Sequence, residues 1–293
     1  MSLFTLTLVV LASFVHATWN LLSKRAASAG PAFVFVYTVV ACVAYGPWVV
    51  YLFLDHVMPW GMPMMLCILA SGFLHLAYSL FLQRGYQVAD LSVVYPVARG
   101  TGPLISTLAA FLILGEPVTL AGMVGLVAVV LGIVLISTRG RLAMLLQPEA
   151  RVGVRWGAMT GSMIAGYTVV DAYAVKVVGV HPVVLDWFGN LIRMIILFPY
   201  VLRNRSESVL RMRGKWGLGV AVGLLSPLSY ILVLWALRLG APLSVVAPAR
   251  EMSMMVGVMM GMVILREQVG FWRTFGCGLV VFGVVALANV HAG

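Results

Sequence analysis

The chain has 293 residues, of which 62% are hydrophobic and only 10% are charged, and its formal net charge is +10. A soluble globular domain carries about 25% charged residues, so this composition excludes an ordinary soluble domain. The three cysteines, Cys42, Cys67 and Cys277, lie within apolar runs. They have neither the pairing of a disulfide framework nor the spacing of a metal site.

The apolar residues form runs of roughly twenty, the length that an α-helix needs to cross about 30 Å of hydrocarbon. They do not alternate with polar residues, as the strands of a membrane barrel would. We therefore predict an all-α membrane protein with ten transmembrane helices, called spans 1 to 10. In chain order they are residues 3–23, 32–54, 64–83, 91–114, 119–138, 154–176, 183–202, 216–239, 243–265 and 271–290.

The connections between these spans are short. The longest ones, residues 139–153 and 203–215, could not bury a core of their own, so no soluble domain is expected. No basic segment precedes the first apolar run and no cleavage site follows it, which favours a first span over a signal peptide.

The basic residues are unevenly distributed between the loops. Only Lys176 and Arg238 lie at the ends of even-numbered spans. The loops after odd-numbered spans hold Lys24, Arg25, Arg84, Arg139, Arg141, Arg151, Arg155, Arg203, Arg205, Arg211, Arg213, Lys215, Arg266 and Arg273. Basic loops stay in the cytoplasm, so both termini are expected in the periplasm of a bacterial inner-membrane protein. The net charge therefore reports topology, and no nucleic-acid partner is expected.

One segment of the chain recurs in its second half. Residues 91–96, Leu-Ser-Val-Val-Tyr-Pro, return as residues 243–248, Leu-Ser-Val-Val-Ala-Pro, at an offset of 152. One residue is then missing from the second copy, and the offset becomes 151. The further matched pairs are Ala98 with Ala249, Arg99 with Arg250, Glu116 with Glu267, Val118 with Val269, Gly125 with Gly276, and Gly132 with Gly283. Chance could supply matching valines but not this ordered series, so we infer a duplication.

Each copy holds five spans, an odd number, so the second copy must enter the membrane inverted. We predict two five-helix repeats, residues 1–140 and 154–293, joined by a cytoplasmic linker, residues 141–153. Inverted repeats are the usual architecture of secondary transporters, which bind substrate near the bilayer midplane between the halves.

These repeated residues resemble a known family. The pattern Pro96, Gly115-Glu116, Gly125 and Gly132, with its second copy, is similar to the duplicated EamA domain of the drug/metabolite transporter superfamily. The resemblance implies a ten-helix exporter with a central cavity lined chiefly by spans 1, 3, 4, 6, 8 and 9. Within the family, the chain is most similar to YddG-type exporters of aromatic and other amino acids. One departure is Arg266, which stands where the first copy has Gly115.

Two arginines lie inside the matched spans, shortly after prolines. Arg99 follows Pro96, and Arg250 follows Pro248. Proline interrupts helical hydrogen bonding, and symmetric interrupted helices point to a transport site, so Pro96 and Pro248 are predicted helix breaks. The arginines can offer bidentate donors to a substrate carboxylate. Alternatively, Glu251 neutralises one of them and holds the halves together.

A second set of charged residues lies in spans 6 and 7. Arg193 is two helical turns from Asp186, and it could instead pair with Asp171 of span 6. Buried charges are costly and face protein or water. An Asp171–Arg193 pair would be a structural latch, and an unpaired Asp171 would be a candidate proton site.

The remaining candidate site residues are histidines and aromatic residues. His16 and His75 can donate to substrate, carry a proton, or simply bond a neighbouring helix. No second ligand lies at metal spacing, so no metal and no cofactor is expected. Within the spans that the resemblance assigns to a cavity, either cavity lining or core packing explains the aromatic residues. They are Trp19, Tyr78, Tyr95, Tyr167, Tyr230 and Trp235.

These observations favour a secondary transporter of small metabolites, with amino acids including aromatic ones as the expected substrate class. An exchanger of phosphorylated metabolites or nucleotide sugars is the alternative within transport, and only Arg99, Arg193 and Arg250 would serve its anions. A membrane enzyme or receptor is disfavoured because no HExxH, GxSxG or GxxxxGK motif occurs. Uniport and proton antiport both stay open, and so does the oligomeric state, with which a monomer is compatible.

Overall fold

A computed structural model describes residues 2–55, 60–265 and 270–290 of the chain. The α-helices in these residues are α1 Leu3–Arg25, α2 Pro31–Leu54, α3 Met62–Val88, α4 Leu91–Ile113, α5 Leu120–Thr138, α6 Arg151–Tyr173, α7 Pro182–Arg203, α8 Arg205–Met212, α9 Trp216–Arg238, α10 Leu243–Arg250, α11 Met252–Leu265 and α12 Phe271–Val290. Spans 1 to 7 correspond to α1–α7, span 8 to α9, span 9 to α10 and α11 together, and span 10 to α12. Arg266 and Glu267 lie outside the described residues.

Nine spans among the described residues are long and apolar enough to cross a membrane. The predicted span that is not among them is α6, whose sequence contains Arg151, Arg155 and Asp171 together with several glycine, serine and threonine residues. The all-helical, multi-span architecture is therefore confirmed, whereas the count of ten stays a prediction.

The outer surface of the helix bundle is apolar. Leu112, Leu120, Val43 and Phe271 are each more than 70% exposed, and many other large apolar side chains are half-exposed. Water-soluble monomers rarely expose apolar patches of this extent, whereas hydrocarbon accommodates them without cost. The exposed faces of the helices thus provide the surface that a lipid bilayer requires.

The two equivalent helices α5 and α12 pack against each other in opposite directions. Gly125 lies near the start of α5, and a Cβ placed on it would be 2.7 Å from the carbonyl oxygen of Gly283, near the end of α12. A Cβ on Gly132 would be 2.7 Å from the carbonyl oxygen of Gly276. Gly125 matches Gly276 in the repeat, and Gly132 matches Gly283. Each contact is thus the symmetry mate of the other, as an inverted repeat requires.

Glycines also bring α4 and α6 together. A Cβ on Gly157 would lie 2.7 Å from the Cβ of Val97, and one on Gly161 would lie 2.6 Å from the Cβ of Thr101. Such close approach between membrane helices is possible only where side chains are absent. It places α6 directly beside the segment of α4 that carries Arg99.

The sequence offset between the two repeats increases by one residue near the end of α6, where the helix is irregular. Asn20 matches Asp171 at an offset of 151, whereas Lys24 matches Lys176 at an offset of 152. The extra residue lies between Asp171 and Lys176, and Ala174–Val178 forms a π-helix at the end of α6. A π turn accommodates one inserted residue without ending the helix. The insertion therefore brings Lys176 into line with its counterpart in the first repeat.

The predicted helix break at Pro96 is wrong. Helix α4 continues through both Pro96 and Pro103. Membrane helices tolerate proline where neighbouring groups satisfy the freed backbone atoms. In the second repeat the helix is interrupted, but at Glu251 between α10 and α11 rather than at Pro248 itself. This interruption lies next to the site where the second copy lacks one residue. The two repeats thus differ most at the centre of the molecule.

Candidate functional site

A buried ionic cluster joins the two halves at this interruption. Glu251 is completely buried, and its Oε2 atom lies 3.1 Å from Nε of Arg99 on α4. Its Oε1 atom lies 3.8 Å from Nε of Arg250, the last residue of α10. Both arginines are also buried. Two guanidinium groups thus face one carboxylate, so the cluster keeps an excess of one positive charge.

Helices α1 and α11 supply further contacts to Arg99. The Nη2 atom of Arg99 is 3.3 Å from Nε2 of His16 and 3.4 Å from the hydroxyl oxygen of Ser253. Because a guanidinium can only donate, Nε2 of His16 must accept, and this imidazole is neutral in that contact. The His16 ring packs edge-on against Trp19, which donates its indole N–H to the Ser229 hydroxyl on α9. Three predicted site residues, His16, Trp19 and Arg99, are therefore neighbours.

Aromatic rings surround the guanidinium groups. The Arg99 guanidinium carbon lies 5.7 Å from the Tyr95 ring centre, and that of Arg250 lies 5.9 Å from the Tyr167 ring centre. These distances are within the range of cation–π attraction. Tyr167 also contacts Tyr78 edge-on at 5.8 Å between ring centres.

The Tyr167 ring extends these contacts to a second polar group. Its centre lies 3.9 Å from that of His75 and 6.1 Å from that of Tyr230. The Tyr230 hydroxyl donates to Oδ2 of Asp171, which is completely buried. The Nε2 atom of His75 lies 3.9 Å from the same oxygen. Tyr167 thus lies between Arg250 of the ionic cluster and the residues His75 and Tyr230 that surround Asp171.

A small cavity lies beside Asp171. It has room for about one water molecule. It is lined by Ser71 and His75 of α3, Asp171 of α6, Leu185, Asp186, Gly189 and Arg193 of α7, and Tyr230 of α9.

Arg193 does not form the predicted pair with Asp171. Its Nη2 atom donates to Oδ1 of Asn190 at 2.8 Å, and its Nε atom donates to the Gly189 carbonyl at 3.2 Å. Asn190 in turn donates to Oδ2 of Asp186 at 2.9 Å. Because each of these bonds joins residues three or four apart on α7, Arg193 is satisfied by its own helix rather than by α6. Asn190 was not identified from the sequence, since an amide in a span carries no charge signal.

Trp235 lies away from these central groups. Its ring contacts those of Trp48 and His181, with centres 6.3 and 5.2 Å apart. His181 precedes α7 and accepts the Val183 N–H through Nδ1. Partial burial and the nearby positive charge of Arg238 lower the pKa of His181 to about 4. This aromatic group is at the end of the bundle where α6 and α9 finish.

A second ionic contact between the halves involves Glu116, which the sequence identified only as part of the repeated motif. Its two carboxylate oxygens accept the backbone N–H groups of Leu243 and Ser244, at 2.6 and 2.9 Å. Lys176 donates to Glu116 at 3.4 Å and to the Ala241 carbonyl at 3.1 Å. A carboxylate at a helix N-terminus satisfies free N–H groups and interacts favourably with the helix dipole. Glu116 of the first half therefore caps α10 of the second.

The described residues contain no group of three or more His, Cys, Asp or Glu side chains that could share a metal ion.

The fold and these buried polar groups define a multi-span helical membrane protein with two related halves. The EamA-like transporter family model matches residues 3–138 and 151–289, nearly the whole chain in two copies. The chain belongs to the EamA-like transporter family. This is a family of membrane transporters and not of enzymes, so the predicted class is confirmed at that level.

One solved crystal structure matches all of this chain and 99% of its own, with a TM-score of 0.75 and 16% sequence identity. At this identity, the likeness concerns the fold alone. No curated protein matches the sequence.

Proposed function

We propose that this transporter exports zwitterionic metabolites, chiefly amino acids including aromatic ones, across a bacterial inner membrane by alternating access. The observation that carries the proposal is the separation of charge around Tyr167. Arg99 and Arg250 share one carboxylate, whereas Asp171 has no lysine or arginine nitrogen of the described residues within 4.0 Å. A zwitterion could place its carboxylate at the two arginines and its ammonium at Asp171.

The substrate carboxylate would bind the two arginines. They hold an excess of one positive charge, and guanidinium groups bind carboxylates in a bidentate manner. An incoming carboxylate would restore charge balance beside Glu251 without moving it into solvent. Ser253 and His16 already contact Arg99 and would fix the orientation of its guanidinium.

The substrate ammonium would bind at the acidic group. Asp171 and Asp186 both line the cavity, and the two are on different helices, α6 and α7. Tyr167 contacts Arg250 on one side and His75, the neighbour of Asp171, on the other, and Tyr78 extends the aromatic surface. An apolar or aromatic substrate side chain would pack on these rings. This agrees with the resemblance to YddG-type exporters.

The topology that we propose follows the basic loops. Ten spans in two repeats, residues 1–140 and 154–293, would place the linker 141–153 in the cytoplasm and both termini in the periplasm. Lys176 and Glu116 would then hold the halves together at the periplasmic end.

An exchanger of phosphorylated metabolites is the second candidate, favoured by the excess positive charge at Arg99 and Arg250. It is the weaker one because Arg193 is already bound to Asn190 and linked through it to Asp186. The anion site would therefore rest on two arginines that share Glu251.

The test is counterflow in proteoliposomes loaded with phenylalanine, with labelled phenylalanine outside. The competitors are phenylethylamine, which lacks the carboxylate, 3-phenylpropionate, which lacks the ammonium, and a sugar phosphate. We expect all three to compete poorly, because none of them carries both charges. Equal competition by 3-phenylpropionate, or by the sugar phosphate, would favour the anion exchanger. The absence of amino-acid exchange would reject the proposal.

A further inference from the structure

The hydrogen bonds of His75 determine which of its nitrogens carries a proton. Its Nδ1 atom is 3.3 Å from the Ser71 carbonyl oxygen, one turn earlier on α3. A carbonyl oxygen only accepts, so Nδ1 must be the protonated nitrogen. In a neutral imidazole, the lone pair of Nε2 then faces Oδ2 of Asp171, 3.9 Å away.

The Asp171 carboxyl group, in turn, lacks a positively charged partner. The Tyr230 hydroxyl donates to Oδ2, and the Ser71 hydroxyl also interacts with the carboxyl group, but both of these donors are neutral. With Asp171 ionised and His75 neutral, two sets of lone pairs face each other in a completely buried place. A buried charge with no paired cation is costly. One additional proton, on either residue, removes both the repulsion and the unpaired charge.

The neighbouring charged groups do not neutralise Asp171. Among the described residues, the titratable or charged groups that face the pair come from α3, α6, α7, α9 and α10. They are Cys67, Tyr167, Asp186, Arg193, Tyr230 and Arg250. Arg193 is bound to Asn190, and Arg250 lies over Tyr167 and beside Glu251. Asp186 is a further acid and cannot supply a positive charge.

We propose that Asp171 and His75 form a proton-binding site that couples substrate export to proton entry. The site takes one proton from the periplasmic water and releases it to the cytoplasm, while the substrate ammonium competes for the same carboxyl group. Each cycle moves one zwitterion out and one proton in, so one positive charge enters. The identity of the exchanged substrate rests on the proposed function, whereas the protonation of the pair does not.

Protonation is tested without any substrate. The full chain is reconstituted in lipid, and the infrared C=O stretching band of a protonated carboxylic acid is followed as pH is varied. We expect a titrating band that is absent from Asp171→Asn and retained in Glu149→Gln, a control at an exposed loop carboxylate. Asparagine keeps an acceptor for Tyr230, so folding should be preserved. His75→Gln should shift the midpoint of the titration, and an unchanged band in Asp171→Asn would overturn the proposal.

Coupling is tested with phenylalanine as the transported probe. Vesicles with an acidic lumen and a membrane potential clamped at zero should accumulate labelled phenylalanine against its gradient. Asp171→Asn should lose this accumulation and show counterflow that has a raised half-saturation concentration and no pH dependence. Accumulation by Asp171→Asn equal to that of the parent protein would overturn the coupling. If the infrared band titrates but no amino acid moves, the proton site stands and the amino-acid proposal fails.

Discussion

Arg99 and Glu251 come from different halves of the chain, yet they form the shortest contact of the central ionic cluster, 3.1 Å between Nε and Oε2. Arg250 precedes Glu251 directly in sequence but lies farther from it, at 3.8 Å. The central carboxylate therefore connects the halves rather than neutralising only its neighbour. It also has no acidic counterpart in the first repeat, where Gly100 occupies the matching position.

This arrangement predicts an order of destabilisation. Glu251→Gln leaves two buried arginines without an anion, which should cost about 3–5 kcal/mol of unfolding free energy. Arg99→Met should cost less, because Arg250 still faces Glu251. The double variant, Arg99→Met with Glu251→Gln, should recover much of the stability that Glu251→Gln loses. Thermal unfolding in detergent measures the order, with the exposed Glu207→Gln as control, and equal loss in all three variants would contradict it.

The cap of Glu116 on α10 predicts coupling between the halves. Glu116→Ala removes both acceptors and the partner of Lys176, and should cost about 1–2 kcal/mol, as loss of a helix cap does. Glu116→Gln keeps one acceptor and should cost less. Lys176→Met should resemble the milder variant. Unfolding midpoints with Glu149→Gln as control give the ranking, and an Ala variant as stable as the parent protein would exclude the cap.

The packing of α5 on α12 gives a matched pair of glycine substitutions. Gly276→Ala places a Cβ 2.8 Å from the Gly132 carbonyl oxygen, so the two backbones must separate and the unfolding temperature should fall. Gly278, two residues later, has nothing within 4 Å of a Cβ. Gly278→Ala should be neutral or slightly stabilising, since alanine favours helix by about 1 kcal/mol over glycine. The reverse order would mean that α5 and α12 do not pack in this register.

Tyr167 should affect substrate affinity through its ring rather than its hydroxyl. Tyr167→Phe keeps the faces that contact Arg250 and His75 and should change the half-saturation concentration of counterflow by less than about threefold. Tyr167→Leu removes the π system and should raise it about tenfold, the equivalent of about 1.4 kcal/mol. Identical kinetics in the two variants would show that the ring takes no part in binding.

The lowered pKa of His181 predicts that the stability of the fold depends on pH. Its pKa is lowered to about 4 in the folded chain from a reference value of 6.5. Above pH 6.5 it is neutral in both folded and unfolded states, so it contributes no slope. Between pH 6.5 and about 4 the unfolded state takes up the proton first, and stability falls as pH decreases. His181→Asn keeps an acceptor for the Val183 N–H and should lose this part of the pH dependence, which unfolding midpoints between pH 4 and 8 measure.

Several features of this protein follow from the sequence alone. The length and number of apolar runs predict an all-helical membrane protein, and the ordered Pro, Arg, Glu and Gly series predicts two related halves. The odd number of spans predicted for each repeat leads us to expect that the second repeat is inverted. The offset change between Lys24 and Lys176 also has a sequence signature, although only the structure identifies the inserted residue with a π turn.

The partners of the buried charges depended on the tertiary structure. The sequence could not say that Asp171 faces His75 and Tyr230 rather than Arg193, that Trp235 lies away from the centre, or that Glu116 caps a helix of the other half. The reason is physical. In hydrocarbon, both the lipid-facing and the protein-facing sides of a helix are apolar, so the sequence pattern gives the length of a span but not its rotation. The rotation and register of distant helices are decided only when glycine contacts such as Gly125 on Gly283 bring them together.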